Sequence, residues 1–213
     1  MKQQQIQLPD FNFRKFRVND QNRVVVFTVL GLLFIVPYLL NNRISYFPSR
    51  AFEFTKFELW IPFWDWTVWI YYSDYIFPFA VGYLLRSSLN LSRVCFGFFL
   101  MSIVTNLTFF LYPVHYRREL YPLTDQNSFG MHLIRELDSP LNCFPSAHVA
   151  IVIVTLLAVQ KERPEYYLSF LIWAILICIS TLTTKQHYLV DVIGGALVGY
   201  ICFRVSERLI KDS

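Results

Sequence analysis

The 213-residue chain is 55 % hydrophobic and 18 % aromatic but only 16 % charged, with a formal net charge of +4. A soluble domain carries about a quarter charged residues, so this composition excludes a disordered chain, a collagen-like repeat and a disulfide scaffold, and it argues against an ordinary soluble enzyme. The 19 Lys and Arg residues sit in short clusters between apolar runs, which is the pattern of membrane topology and not of a nucleic-acid binder. The expected fold class is all-α: a polytopic membrane bundle of about six spanning helices.

In chain order, residues 1–23 read as a cytoplasmic tail. Within it Phe11–Arg17 alternates aromatic and basic residues, as a segment on the inner membrane surface or a merely solvated tail would. Six apolar runs follow, at Val24–Leu40, Val68–Leu85, Val94–Pro113, His148–Val159, Tyr166–Thr184 and Leu189–Val205. They define a membrane domain over 24–205, followed by a short cytoplasmic tail at 206–213. Most approach the roughly 20 residues a spanning helix needs. The fourth is short and comes close only if it begins near Ser146. No small-residue cleavage site follows the first run, which reads as a signal anchor. Neither an internal repeat nor a low-complexity segment is visible.

The basic residues set the orientation. Twelve of them (Lys2, Arg14, Lys15, Arg17, Arg23, Arg86, Arg93, Lys161, Arg163, Arg204, Arg208 and Lys211) fall on the side of the termini. Seven (Arg43, Arg50, Lys56, Arg117, Arg118, Arg135 and Lys185) fall on the other. The richer side is expected to be cytoplasmic, so both termini face the cytoplasm and loops one, three and five face outward. Trp60, Trp64, Trp66 and Trp69 stand where an outer aromatic belt would. Cys95, Cys178 and Cys202 lie in spans and Cys143 in an outer loop, and no CxxC or His-rich cluster suggests a metal site.

Two segments carry chemistry. In Thr184-Lys185-Gln186-His187-Tyr188-Leu189-Val190-Asp191, His187 and Asp191 are four apart, one helical turn on one face. An Asp that takes the proton of one imidazole nitrogen leaves the other free to attack, with His itself as nucleophile. A capping or interfacial His–Asp pair is the structural alternative. In Asn142-Cys143-Phe144-Pro145-Ser146-Ala147-His148, Ser146 can cap the fourth span after Pro145. The amides of that helix start suit an anion, and His148 in the first turn can protonate a leaving group. The alternative is an ordinary cap followed by an interfacial His. The topology count places both segments on the outer face with Arg117, Arg118 and Lys185, a set that suits a phosphate ester.

Those residues resemble the type 2 phosphatidic acid phosphatase superfamily of integral-membrane lipid phosphatases. Its central Pro-Ser-Gly-His is matched by Pro145-Ser146-Ala147-His148, and its terminal His-x-x-x-Asp by His187-Tyr188-Leu189-Val190-Asp191. The match is close over roughly Tyr112–Gly199. The resemblance implies that His187 forms a phosphohistidine, that Asp191 orients it, and that His148 serves the leaving alcohol. It also implies that Arg118, Ser146, Ala147, Lys185 and, less directly, Arg117 hold phosphate, with no metal and no cofactor required. The implied partners are the bilayer and a phospholipid or other amphiphilic phosphate. The chain departs from the family pattern at three places: Leu111 stands where the first motif has Lys, Glu119 where it has Pro, and Thr181 where the last motif has Arg. The two segments look closest to the inositol phosphorylceramide synthase branch, which moves a headgroup between lipids. Hydrolase and transferase share the first step and differ in whether water or an alcohol resolves it.

Other readings compete with this one. A non-catalytic scaffold on the same fold is one. An intramembrane serine protease using Ser146 lacks the Gly-x-Ser-x-Gly elbow, and a transporter would show repeats and broken helices near the midplane. Asp74, inside the second span, is either a functional acid or bonded to a nearby hydroxyl such as that of Tyr71 or Tyr75. His115 and His132 read as loop residues, and Asp125 and Asp138 either order that loop or touch substrate. Gly195 and Gly199 form a small-xxx-small face for close helix packing.

Overall fold

The computed structural model describes residues 17–211, so most of Phe11–Arg17, with Lys2, Arg14 and Lys15, lies outside the described residues. The elements in chain order are α1 (Arg23–Arg43), α2 (Lys56–Trp60), α3 (Val68–Tyr72), α4 (Phe77–Leu84), α5 (Ser88–Leu111), α6 (Phe129–Leu137), α7 (Ala147–Glu162), α8 (Pro164–Thr183) and α9 (Leu189–Leu209). Among the described residues no strand forms; the one β-type contact is an isolated bridge between Arg50 and Val114. The fold is all-helical, as expected. Four helices, α1, α5, α8 and α9, are long and apolar enough to cross a membrane.

The other two expected spans differ. The run Val68–Leu85 is not one helix: α3 ends at Tyr72, a 3₁₀ turn occupies Ser73–Tyr75, and α4 restarts at Phe77. The cause is local. The Ser73 hydroxyl bonds back to the Ile70 carbonyl at 2.6 Å, and Pro78, which lacks an N–H, sits in the first turn of α4, a position proline favours. The fourth span, α7, has only 16 residues. It is the central helix, packed by α4, α5, α8 and α9, and most of its side chains are buried. Its neighbours and not lipid form its surroundings, which relaxes the length a lipid-facing helix must meet.

In a bilayer, lipid tails are as apolar as Leu, so close packing rather than water exclusion holds helices together. The contact of α7 with α9 depends on glycine. A Cβ at Gly195 would stand 2.3 Å from the Ser146 carbonyl oxygen, and one at Gly199 2.5 Å from that of Ala150. These two helices run parallel and touch backbone to backbone, so their N-terminal ends lie side by side. Exposed apolar side chains cover α1, including Val24, Leu32, Leu33 and Val36, and its far end is anchored by polar bonds. Asn42 exchanges two bonds with Ser139, at 3.1 and 2.9 Å, and Asn41 donates to the Asn106 carbonyl at 3.0 Å. At the opposite end of the bundle the Glu162 carboxylate accepts from the Arg86 and Ser87 amides, and Lys161 pairs with Glu207. Trp60, Trp64, Trp66 and Trp69 are all exposed, as an interfacial belt requires.

Candidate active site

The parallel α7 and α9 bring His148 and His187 together, with ring centroids 5.8 Å apart. Each comes from a helix start. Ser146 caps α7, its hydroxyl accepting from the Val149 amide at 3.4 Å, and the Ser146 amide donates to the Asp191 carbonyl at 3.0 Å. At α9 the Asp191 carboxylate accepts from the Tyr188 amide at 2.8 Å. Glu58 of α2 takes the next amide, that of Leu189, at 2.7 Å, while a second bond of 2.7 Å from the Thr55 amide holds Glu58 itself. Glu58 carried no signal in the sequence, because its partner lies 131 residues away.

The contacts of the His187 ring assign its Nδ1 as a donor. Nδ1 lies 3.0 Å from the Cys143 carbonyl and 3.3 Å from Asp191 Oδ2. A carbonyl only accepts, so Nδ1 carries a hydrogen, and in the neutral ring Nε2 keeps the lone pair. His148 Nδ1 lies 3.3 Å from the Tyr71 hydroxyl, whose ring packs against the imidazole with centroids 4.5 Å apart. Tyr71 therefore bonds to His148. Both histidines, Asp191 and Ser146 are buried. The start of α9 is further held by an aromatic cluster in which Tyr188 packs against Phe52, Phe54 and Tyr116.

The cations divide. Arg118 enters the cluster: it bonds to the Gln186 side chain, donates to the Asp138 carbonyl at 2.6 Å, and faces the Asp138 carboxylate at 3.8 Å. Its buried Nε has no partner among the described residues. Asp138 orders this corner, since the Tyr38 hydroxyl donates to it at 3.1 Å. Burial raises the Asp138 pKa above its ordinary value, while Arg118 pulls it back. Arg117 turns away to an exposed pair with Glu53 at 2.7 Å. Lys185 is buried, adopts φ 56°, donates to the Ile61 carbonyl at 2.6 Å and stacks over the Tyr121 ring at 4.9 Å. Burial lowers its pKa.

One cation escaped the sequence reading. Arg135 of α6 bonds through Nη1 to the Arg118 carbonyl at 3.4 Å. Its buried Nε and Nη2 have no partner among the described residues. Burial, then the nearby Arg118 charge, lowers its pKa. Guanidinium donors left unmatched on neighbouring residues are of the type that suits an anion. Only the count of outer basic residues hinted at it. His132, by contrast, lies in the short helix α6 and bonds to the Thr124 carbonyl at 3.1 Å, while His115 is a loop residue that belongs to the backbone bridge with Arg50.

The Cys143 thiol, a His187 ring nitrogen and an Asp191 carboxylate oxygen lie within 4.8 Å of one another, a juxtaposition that residue spacing conceals. Burial holds the Cys143 thiol protonated well above its usual range, and it donates toward the Pro140 carbonyl at 3.0 Å. His187 Nδ1 lies within hydrogen-bond distance of both the Cys143 carbonyl and Asp191 Oδ2. The cluster therefore works as a hydrogen-bonded cradle for His187.

Parts of the chain are similar to known proteins. A stretch of 80 residues, 38 % of the chain, is 40 % identical to an uncharacterised protein of Methanocaldococcus jannaschii and covers 33 % of it. A stretch of 66 residues, 31 % of the chain, is 30 % identical to the catalytic subunit of inositol phosphorylceramide synthase of Schizosaccharomyces pombe and covers 16 % of it. The matches thus span about a third and a sixth of those relatives. The PAP2 superfamily pattern matches residues 53–205, which include every residue of the cluster, and the chain, an integral membrane protein, belongs to that superfamily.

Proposed function

We propose that this protein is a membrane lipid-phosphate phosphatase that cleaves a phosphomonoester through a phosphohistidine at His187. The observation that carries the reading is the setting of His187: Nδ1 lies 3.0 Å from the Cys143 carbonyl and 3.3 Å from Asp191 Oδ2, which in the neutral ring leaves the Nε2 lone pair to attack, beside a second histidine. Members of the superfamily are phosphatases or phosphotransferases.

The phosphate is held by Arg118 and Arg135, the Ser146 hydroxyl and the first-turn amides of α7 at Ala147 and His148, whose N–H groups lack carbonyl partners within the helix. Lys185 contributes charge from behind its Ile61 bond, and Arg117 a more distant field. Nε2 of His187 attacks phosphorus; the bond from phosphorus to the lipid oxygen breaks, and protonated His148 gives its proton to that oxygen. Asp191 stabilises the imidazolium. Water then attacks phosphorus as His148 takes its proton, the P–N bond breaks, and phosphate leaves. Positioning and fixed positive charge do most of the work in such a transfer. The 12-to-7 asymmetry of basic residues and the exposed tryptophans support cytoplasmic termini and a site on the opposite face.

A second reading is favoured by the similarity to the inositol phosphorylceramide synthase subunit: an alcohol of a second lipid or a sugar replaces water. The deciding experiment measures phosphate and diacylglycerol release from detergent-solubilised phosphatidic acid, for the intact protein and His187→Ala, with and without EDTA. Release that survives EDTA and falls by more than about 10³-fold in the variant supports the phosphatase. Undiminished release by His187→Ala overturns it. No release from either protein, but a new phospholipid when alcohol acceptors are added, selects the transferase.

A further inference from the structure

A cavity of about 420 Å³ opens between α1, α4, α5 and α7, inside the range of roughly 300–1,000 Å³ found for small-molecule sites. Its walls are mostly aliphatic and aromatic, with Gly31 and Phe34 from α1, Phe98 from α5 and Ile151 from α7. Lining residues run along α1 from Phe27 to Tyr38, a length of roughly 16 Å at the helical rise. The shape is therefore long and lies along the spanning helices. It meets the catalytic cluster at Ala147 and His148, and His187, Arg118 and Lys185 do not line it.

One wall residue is out of character. Asp74 is only 4 % exposed, and its Oδ1 has no hydrogen-bond partner among the described residues. Of the tyrosines close to it in sequence, Tyr71 has its hydroxyl engaged with His148, and Tyr75, which lines the same cavity, makes no bond to this Oδ1. Burying a carboxyl without a partner in hydrocarbon surroundings is costly. The break between α3 and α4, which places Asp74 in a 3₁₀ turn, delivers that group to an otherwise greasy channel. An acceptor there calls for a donor on whatever fills the cavity.

We infer that the cavity holds the hydrocarbon chain of the lipid alcohol that leaves, or resolves, the phosphohistidine, and that Asp74 accepts a hydrogen bond from a second hydroxyl or an amide N–H on that alcohol. The inference rests on the reading of His148 as the group that serves the alcohol oxygen, because the cavity reaches the site on the His148 side. The phosphate then sits on the arginine side and the hydrocarbon on the other. The selected substrates are lipids with a further donor close to the reacting oxygen.

The test uses the full-length protein in lipid nanodiscs and a hexadecan-1-ol carrying a mid-chain diazirine as photolabel. Unlabelled hexadecan-1-ol and hexadecane-1,2-diol serve as competitors. Labelling is expected on the cavity faces of α1, α4, α5 and α7, with the diol competing about tenfold better than the mono-alcohol, the worth of one good buried hydrogen bond. Asp74→Leu should erase that preference. A Cβ at Gly31 meets no atom within 4 Å and Gly31 lines the cavity, so the larger side chain of Gly31→Phe occupies cavity space and should cut labelling at least about fivefold. Leu32→Phe, on the exposed side of the same helix, should leave it unchanged. Labelling spread over the outer faces and insensitive to Gly31→Phe overturns the cavity assignment, and equal competition by both alcohols overturns the role of Asp74. The readout needs no turnover. Labelling outside the cavity beside intact His187-dependent phosphatase activity refutes this inference alone, while cavity labelling without such activity refutes the proposed function alone.

Discussion

Gly195→Ala tests whether backbone contact between α7 and α9 sets the distance between the two histidines. The new Cβ would lie 2.3 Å from the Ser146 carbonyl oxygen, 3.1 Å from the Val149 Cβ and 3.2 Å from the Ser146 carbonyl carbon. The nearest obstacles are backbone atoms, which cannot swing aside as a side chain does. Restoring ordinary contact requires the helix starts to part by about 1 Å, as in an overpacked core, where the cost is typically 1–3 kcal/mol. Ala in a helix interior recovers roughly 0.5–1 kcal/mol over Gly. The net loss is then about 1–2 kcal/mol, or about 3–6 °C in melting temperature for a chain of this size. Activity should suffer more than stability. His148 follows Ser146 by two residues and His187 precedes α9, so the displacement falls between the reacting groups, where a shift of about 1 Å costs on the order of 100-fold in rate. The assay pairs thermal unfolding in detergent with kcat for phosphate release. Gly31→Ala is the control, with open space around its Cβ, and should stabilise or leave the melting temperature unchanged. A Gly195→Ala protein with wild-type kcat and melting temperature would refute the packing argument.

Two further predictions concern groups that the motifs do not contain. Arg135→Gln should raise KM for the lipid phosphate by roughly tenfold, the loss of one charge-assisted hydrogen-bonding group. Arg135→Lys should restore only part of it, because an ammonium lacks the planar fork; a KM unchanged by Arg135→Gln would remove Arg135 from the site. Tyr71→Phe should lower kcat by about fivefold, near 1 kcal/mol for one hydrogen bond. Because Tyr71 acts through His148, the pH dependence of kcat should shift as well, and a purely structural role would instead lower the melting temperature and leave the pH profile in place.

The parts of the site that were legible in the sequence share a physical cause. His148, His187 and Asp191 need fixed mutual geometry, and helix starts supply it: a cap, a first turn and an i, i+4 pair are local, so their spacing survives in one dimension. Gly195 and Gly199 are legible for the same reason, as a period of four on one helix face. The second span was misread because hydropathy records composition and not continuity. The Ser73 back-bond and Pro78 interrupt the helix without lowering its apolar character. Arg135 and Glu58 were invisible because their contacts are long-range. Glu58 meets Leu189 across 131 residues, and Arg135 meets Arg118 from a different loop helix.

That division bears on the departures from the family pattern. A nucleophile must approach phosphorus along one line, so its residue type and spacing tolerate little change. Positive charge around the equatorial oxygens has no such restriction. A guanidinium on a long, flexible stem can arrive from any loop that reaches the site, provided burial is offset by hydrogen bonding. Leu111 and Thr181 stand where the family pattern has cations, yet Arg118 and Arg135 meet in one partly buried corner with three buried donor nitrogens unmatched among the described residues. The loss of two motif cations is therefore compatible with phosphate chemistry. A double-mutant cycle on Arg118 and Arg135 measures the consequence: if they clamp one phosphate, their effects on kcat/KM should couple by about 0.5–3 kcal/mol. Strict additivity would mean that they act on different groups.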